Sequence, residues 1–324
     1  MGYLAIEMNQ FFLASLSPNT RSTYKSGFRA YKVFCRQMKW PLFPLVELRL
    51  QFFVTALARR VSYSTIKVYL CGVQFESFIR GFDTRIAHMK KMFYVLRGIR
   101  RTQGSSWVKK KRLPITVNHL HSMIQFLHDS LMCRHDKAMW RALILCAFFG
   151  LLRVSEYTTP SSKRFDENTN LLVRDVSIQK DFVSVFIKAS KTDPFKVGSK
   201  IRLAKIGGIL CPVSALKRYL KLRKFAHGPL FVLKHGSFVT RKYVTAFIKM
   251  SIHDNIDLNT HSFRIGGASA AASSGVPDSI IKILGRWSSD CYRRYIRISD
   301  PVIVDWTSKI AQCERIDTIW SLDV

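Results

Sequence analysis

Through the first hundred residues apolar side chains recur at helical spacing, which predicts a wholly helical segment. Ser17-Pro18-Asn19-Thr20 reads as a helix start, and Tyr24, Phe28, Tyr31 and Phe34 follow on one face. A second apolar-periodic run extends from Leu45 to Leu57. Ser62, Ser64 or Thr65 caps a third, which carries Ile66, Tyr69, Val73 and Phe78 up to Gly81. A fourth spans residues 83–101, with basic residues at its C-terminal end, where they suit the helix dipole. The segment RRTQGSSWVKKKRLP then breaks the pattern with Gly, Ser, a lysine run and a proline, and reads as a linker.

Beyond Pro114 the pattern is mixed. Helices are expected at 116–133 and 135–151, and alternating segments at 171–178, 182–189 and 200–205 suggest a small antiparallel sheet. Further helices are expected at 212–225, 240–254, 261–274, 277–284 and 289–298. The fold class is therefore mainly α with a small antiparallel sheet. Its expected parts are a helical bundle over residues 1–104, a basic linker over 105–113 and an α+β domain over 114–324.

Charge narrows the partners. Lys and Arg number 52 against 21 acidic residues, a net of +31 over 324 residues. The excess is not confined to a tail: residues 1–107 carry 17 basic against 4 acidic residues, and residues 114–324 carry 31 against 17. Such self-repulsion opposes a compact state unless a polyanion neutralises it, and nucleic acid is the commonest polyanion. Both halves are expected to face it. The seven cysteines are scattered without a CxxC pair, and the nine histidines show neither HExxH nor finger spacing. Neither a disulfide framework nor a metal centre is expected. No apolar run is long enough for a membrane span, and the N-terminus lacks the basic start of a secretory signal, so an intracellular protein is expected.

Four places carry candidate chemistry. In Phe149-Gly150-Leu151-Leu152-Arg153-Val154-Ser155-Glu156 an arginine ends an apolar helix and a glutamate follows three residues later, a spacing also common in structural ion pairs. Lys191 lies in a turn between two expected strands, where a hairpin lysine is unremarkable by itself. In Thr260-His261-Ser262-Phe263-Arg264 a histidine and an arginine share one face at a helix start, and the small residues from Gly266 to Ser274 allow close packing behind it. Leu284-Gly285-Arg286-Trp287 precedes Cys291-Tyr292-Arg293-Arg294-Tyr295-Ile296-Arg297, where a Trp near a Tyr would ordinarily be core packing.

In this order and spacing, the four places resemble the catalytic set of the tyrosine recombinase (phage integrase) superfamily, which includes Xer and Cre-like enzymes. That set is an arginine in a GLRxSE-like segment, a hairpin lysine, HxxR, a histidine or tryptophan after LG, and a tyrosine. SPNTRSTYKSGFRAYKVFC resembles the start of the family's core-binding domain, so the likeness covers nearly the whole chain. GRWSSDCYRRYIR further resembles recombinases of eukaryotic mobile elements, the DIRS-like and Crypton-like groups. Each motif is weak alone and the ordered set is strong. One departure stands out: Trp287 to Tyr295 is eight residues, one fewer than is usual in the family.

The resemblance implies an enzyme that breaks and rejoins double-stranded DNA through a 3′-phosphotyrosine, without metal or small-molecule cofactor. Arg153 and Arg264 would clamp the scissile phosphate, since guanidinium forks match its oxygens. Tyr295 in its YIR context would be the nucleophile, with Tyr292 as the alternative. His261 would exchange the tyrosine proton, Lys191 would protonate the departing 5′ oxygen, and Trp287 would donate its indole N–H to a phosphate oxygen. Glu156 would orient Lys191 or His261, or serve as a structural carboxylate. The family assembles as a tetramer on two DNA sites, and the apolar-rich residues 300–324 could dock on a neighbour or fold back on their own domain. An intracellular place with DNA follows, the nucleus if the host is eukaryotic. The rival readings are a domesticated relative that binds without cutting, a type IB topoisomerase, and a basic RNA-binding module without enzymatic function.

Overall fold

The computed structural model describes residues 2–83, 85–104, 112–191, 193, 195–252, 257–297, 303, 304 and 308. The chain divides into two compact units, Met1–Lys110 and Lys111–Val324.

The first unit holds α1 (Gly2–Ala14), α2 (Pro18–Gln37), α3 (Glu47–Ala58), α4 (Tyr63–Ile79) and α5 (Lys90–Gln103). Ser17 caps α2 as its sequence suggests, with extended backbone and its hydroxyl accepting from the Thr20 N–H at 3.2 Å. Phe28, Tyr31, Leu50, Phe53, Val54, Ile66, Val73 and Met92 form the core. The α2–α4 crossing is backbone-close because glycine occupies it from both sides. A Cβ at Gly27 would lie 2.5 Å from the Tyr69 Cα, and one at Gly72 would lie 2.5 Å from the Tyr24 carbonyl oxygen. Gln103 ends α5 buried, accepting from the Tyr63 N–H at 2.7 Å and donating to the Ala58 and Val61 carbonyls at 3.0 and 2.9 Å.

Two features differ from the periodicity reading. Helix α1 is a fifth helix; Tyr3, Leu4, Ile6 and Phe11 on it are all exposed, so it has no one-sided apolar stripe to betray it. The helix expected from residue 83 begins only at Lys90, after a 3-10 turn at Ile86–His88.

The second unit opens with α6 (Val117–Asp129), fastened by a reciprocal cap between Thr116 and His119, and α7 (Arg134–Phe149), which is buried at most positions. A short helix, α8 (Val154–Tyr157), precedes a three-stranded antiparallel sheet of β1 (Val176–Ile178), β2 (Phe182–Ile187) and β3 (Ser199–Ala204), in that order. Val183 pairs with Leu203 and Val185 with Ile201, so one face of the sheet joins the core. Helices α9 (Pro212–Leu222), α10 (Arg241–Ser251), α11 (Ser262–Ser273) and α12 (Asp278–Leu284) follow. Trp140 of α7 stacks on Phe247 of α10 at 4.4 Å between ring centroids.

The strand expected at 171–178 is shorter because its first half is a 3-10 turn. There the Asp175 carboxylate accepts from the Leu172 N–H at 2.7 Å and meets the Lys188 ammonium at 2.8 Å. The last expected helix is a 3-10 turn over Asp290–Arg294. Expected contacts of the tail beyond residue 300 lie almost entirely outside the described residues. Among the described residues no helix is long and apolar enough to cross a membrane.

Two close approaches place the functional elements. A Cβ at Gly266 would lie 1.8 Å from the Ile115 carbonyl oxygen, and one at Gly267 would lie 2.4 Å from that of Phe148. The small-residue stretch thus lets α11 seat directly on the C-terminal end of α7, bringing His261 and Arg264 to the Gly150–Arg153 turn.

Candidate active site

Helices α7 and α12 end in the same way. In each, the residue past the C-cap glycine is left-handed, Leu151 at φ 46° and Arg286 at φ 55°, and the next N–H closes back onto the helix. The Leu152 N–H reaches the Ala147 carbonyl and the Trp287 N–H reaches that of Lys282, both at 3.0 Å. Glycine usually fills the left-handed position, since an L side chain costs about 1 to 2 kcal/mol there. Gly285 precedes it for a different reason: a Cβ would meet the Trp287 ring at 1.7 Å.

Arg264 ties the two turns together. It is fully buried, and its two terminal nitrogens donate to the carbonyls of Leu151 and Gly285. Its guanidinium lies 4.3 Å from the Trp287 ring centroid and 5.6 Å from that of Tyr295. Burial, then the neighbouring Arg153, pulls its pKa well below the ordinary arginine range.

Arg153 stands at the start of α8, and Glu156 reaches back to it. The Arg153 N–H donates to Oε2 and its Nη1 to Oε1, each at 2.9 Å. Arg286 Nη2 donates to the same Oε2 at 2.8 Å and Nη1 to the Gly150 carbonyl at 3.1 Å. The Glu156 side chain is wholly buried between them. Glu156 thus pairs with two arginines, with Arg153 at the i, i+3 spacing common in structural ion pairs, and among the described residues its hydrogen bonds go to neither Lys191 nor His261.

The Tyr295 ring lies 5.1 Å from the His261 ring and 5.1 Å from the Trp287 ring, centroid to centroid. Its backbone is held by Ser269, whose hydroxyl donates to the Tyr295 carbonyl at 3.2 Å and accepts from the Arg297 N–H at 2.9 Å. Burial, with the charges of Arg112, Arg264, Arg153 and Arg241, lowers the His261 pKa to about 4, so the imidazole is neutral at physiological pH. Tyr292 is held differently. Its hydroxyl donates to Asp278 Oδ2 at 2.7 Å, and its ring is buried with Leu151, Ala268, Ile281 and Trp287.

The structure therefore gathers Arg153, Glu156, His261, Arg264, Trp287 and Tyr295, with Tyr292 alongside. Lys191 is exposed on the connection between β2 and β3, and among the described residues no contact ties it to this cluster. Arg286 joins the cluster without having been singled out in the sequence. The available signal was an arginine following the glycine at a helix end, where a second glycine would relieve the backbone.

Two guanidiniums, of Arg153 and Arg286, hold one carboxylate, and the Arg264 guanidinium stands nearby on backbone carbonyls, leaving the cluster cationic. Arg264 Nε, Arg286 Nε and Trp287 Nε1 are buried with no acceptor among the described residues. A cationic site with spare N–H donors beside a neutral imidazole and a phenol suits the binding of an oxyanion.

No family model matches the chain, and no curated protein matches it. Solved structures do. XerH site-specific recombinase in a post-cleavage complex with palindromic difH substrate shares 17% identity, at a TM-score of 0.56, over 82% of this chain and 72% of that one. A lambda integrase dimer bound to a COC′ core site shares 14% at 0.57, over 90% and 75%. The Tn1549 transposon integrase in complex with transposon right end DNA shares 14% at 0.54, over 91% and 95%. The chain has the fold of tyrosine recombinases and integrases.

Proposed function

We propose that this chain is a tyrosine-type DNA recombinase that breaks and rejoins DNA strands through a covalent 3′-phosphotyrosine. The observation that carries the reading is the placing of the Tyr295 ring between His261 and Trp287, beside the Arg264 guanidinium. Tyr292, by contrast, spends its hydroxyl on Asp278.

In the proposed reaction Arg153 and Arg264 bind the non-bridging oxygens of the scissile phosphate, and Trp287 Nε1 donates to one of them. Arg264 keeps an N–H at Nε without an acceptor among the described residues, a donor that a phosphate oxygen can take. Tyr295 Oη attacks phosphorus and its proton passes to neutral His261. A tyrosine–phosphorus bond forms as the bond to the 5′ oxygen breaks, and that oxygen takes a proton from Lys191, carried in by the β2–β3 connection. Reversal by another strand's 5′ hydroxyl rejoins DNA, and the bond energy is conserved throughout.

The two units divide the labour. The helical one grips the DNA backbone, and Lys111–Val324 supplies the chemistry, in a homotetramer on paired double-stranded sites. The basic surplus gives binding that weakens steeply with salt. GRWSSDCYRRYIR supports an origin in a eukaryotic mobile element, with action on nuclear DNA.

The test is trapping on nicked duplexes carrying a binding site selected from random sequence, with the full chain, Tyr295→Phe and Tyr292→Phe. A covalent protein–DNA adduct is expected from the full chain and from Tyr292→Phe, and none from Tyr295→Phe. No adduct from the full chain overturns the enzymatic reading. Adduct lost only in Tyr292→Phe reverses the nucleophile.

A further inference from the structure

Arg286 is the guanidinium at this site to which the proposed chemistry gives no task. It occupies the left-handed position of the turn that ends α12, where glycine would be at ease, and so its side chain sits there against a backbone preference. That side chain is almost fully withdrawn from solvent. It spans the two helix ends, from the Gly150 carbonyl to Glu156 Oε2.

The carboxylate is where this matters. Glu156 Oε1 takes the Arg153 guanidinium, and Oε2 takes both the Arg153 N–H and Arg286 Nη2. Arg286 thus fixes the roll of the carboxylate together with the Arg153 N–H, and the carboxylate directs the Arg153 fork. A lysine would deliver the same charge but as a point, without two donors set at the angle these two acceptors require.

We infer that Arg286 is a positioning residue for strand cleavage, acting through Glu156 to hold the Arg153 guanidinium at the scissile phosphate. The inference rests on the reading of Arg153 as a phosphate clamp. A misdirected fork would still attract DNA, since the attraction is spread over many basic groups, but would stabilise the transition state poorly.

Four variants test it beside the full-length wild type: Arg286→Gly, Arg286→Lys, Glu156→Gln and the double Arg286→Gly/Glu156→Gln. Glycine suits the left-handed backbone, so Arg286→Gly removes the side chain without adding strain, and thermal denaturation checks its folding. On saturating nicked DNA, adduct formation should slow by roughly 10- to 100-fold in both Arg286 variants, with half-saturation changed less than about threefold. The double variant should be no slower than Glu156→Gln alone, because both changes cut the same link. Wild-type rates in Arg286→Gly or Arg286→Lys, a loss confined to DNA affinity, or additive losses in the double variant would each overturn the inference.

A second readout needs no turnover. In ¹⁵N spectra of the DNA-free protein, rotation of the Arg153 guanidinium should be restricted in wild type and fast in Arg286→Gly; unchanged restriction overturns the inference. If wild type forms no adduct while this difference appears, the strand-exchange reading has failed and the positioning link has not.

Discussion

The imidazole of His261 and the phenol of Tyr295 lie 5.1 Å apart, ring centroid to ring centroid, tilted by 58°. That imidazole is half-buried among arginines, which holds its pKa at about 4. A free histidine titrates near 6.5. The unfolded chain therefore binds this proton at a higher pH than the native one, so the group's effect on stability is flat above about pH 6.5 and turns unfavourable as pH falls from there towards 4. Denaturation midpoints of wild type should fall faster than those of His261→Gln across that window and run parallel above pH 7. Cleavage should likewise keep its rate down to about pH 5, and His261→Gln should lose about 10²- to 10⁴-fold. An acid limb at pH 6.5 that vanishes in the variant would contradict the low pKa.

Glu156 answers a different question, one of stability. Its carboxylate is sealed between Arg153 and Arg286, so removing its charge leaves two guanidiniums facing each other in a buried place. Breaking a buried pair by losing one partner costs about 3 to 5 kcal/mol. Glu156→Gln, which keeps the shape, should lower the urea midpoint accordingly with an unchanged slope. A loss under about 1 kcal/mol would mean that water already screens the carboxylate.

Much of this was legible beforehand, for identifiable reasons. Amphipathic helices such as α2 advertise one buried face, and the Ser17 cap marks its start. The small residues of α11 announce a close approach, and Gly266 and Gly267 make it. What stayed hidden lacks a periodic signal. Helix α1 is apolar on several sides, and the turn that shortens β1 is set by Asp175 meeting Lys188 just past the end of β2. At the site, spacing along the chain reveals one partner of Glu156, Arg153 three residues before it. Its second partner is Arg286, 130 positions away. Arg286, directly after Leu284-Gly285, stands nine residues before Tyr295, and Trp287 eight.

The seat of α11 gives a test in which two glycines should behave oppositely. A methyl at Gly266 would meet the Ile115 carbonyl, which is backbone and cannot swing aside, whereas nothing lies within 4 Å of a methyl at Gly98 in α5. Gly266→Ala should destabilise by about 1 to 3 kcal/mol or more, and it should impair cleavage because His261 and Arg264 ride on the displaced helix. Gly98→Ala should stabilise by about 0.5 to 1 kcal/mol through helix propensity. Equal effects on thermal stability would refute the close packing of α11.

Tyr292 and Tyr295 are three residues apart, and their removal should separate structure from chemistry. Tyr292→Phe loses the hydrogen bond to Asp278, worth about 0.5 to 1.5 kcal/mol. Asp278→Asn keeps an acceptor at the same place but removes the charge that strengthens the bond, so it should fall between wild type and Tyr292→Phe in stability. Neither change touches the face of Tyr295 that packs on His261 and Trp287. Both variants should therefore melt lower while forming adduct at close to the wild-type rate. Tyr295→Phe keeps those ring contacts and should melt like wild type. If Tyr292→Phe were as stable as wild type but slower to react, Tyr292 would belong to the chemistry instead of to the wall that holds Trp287.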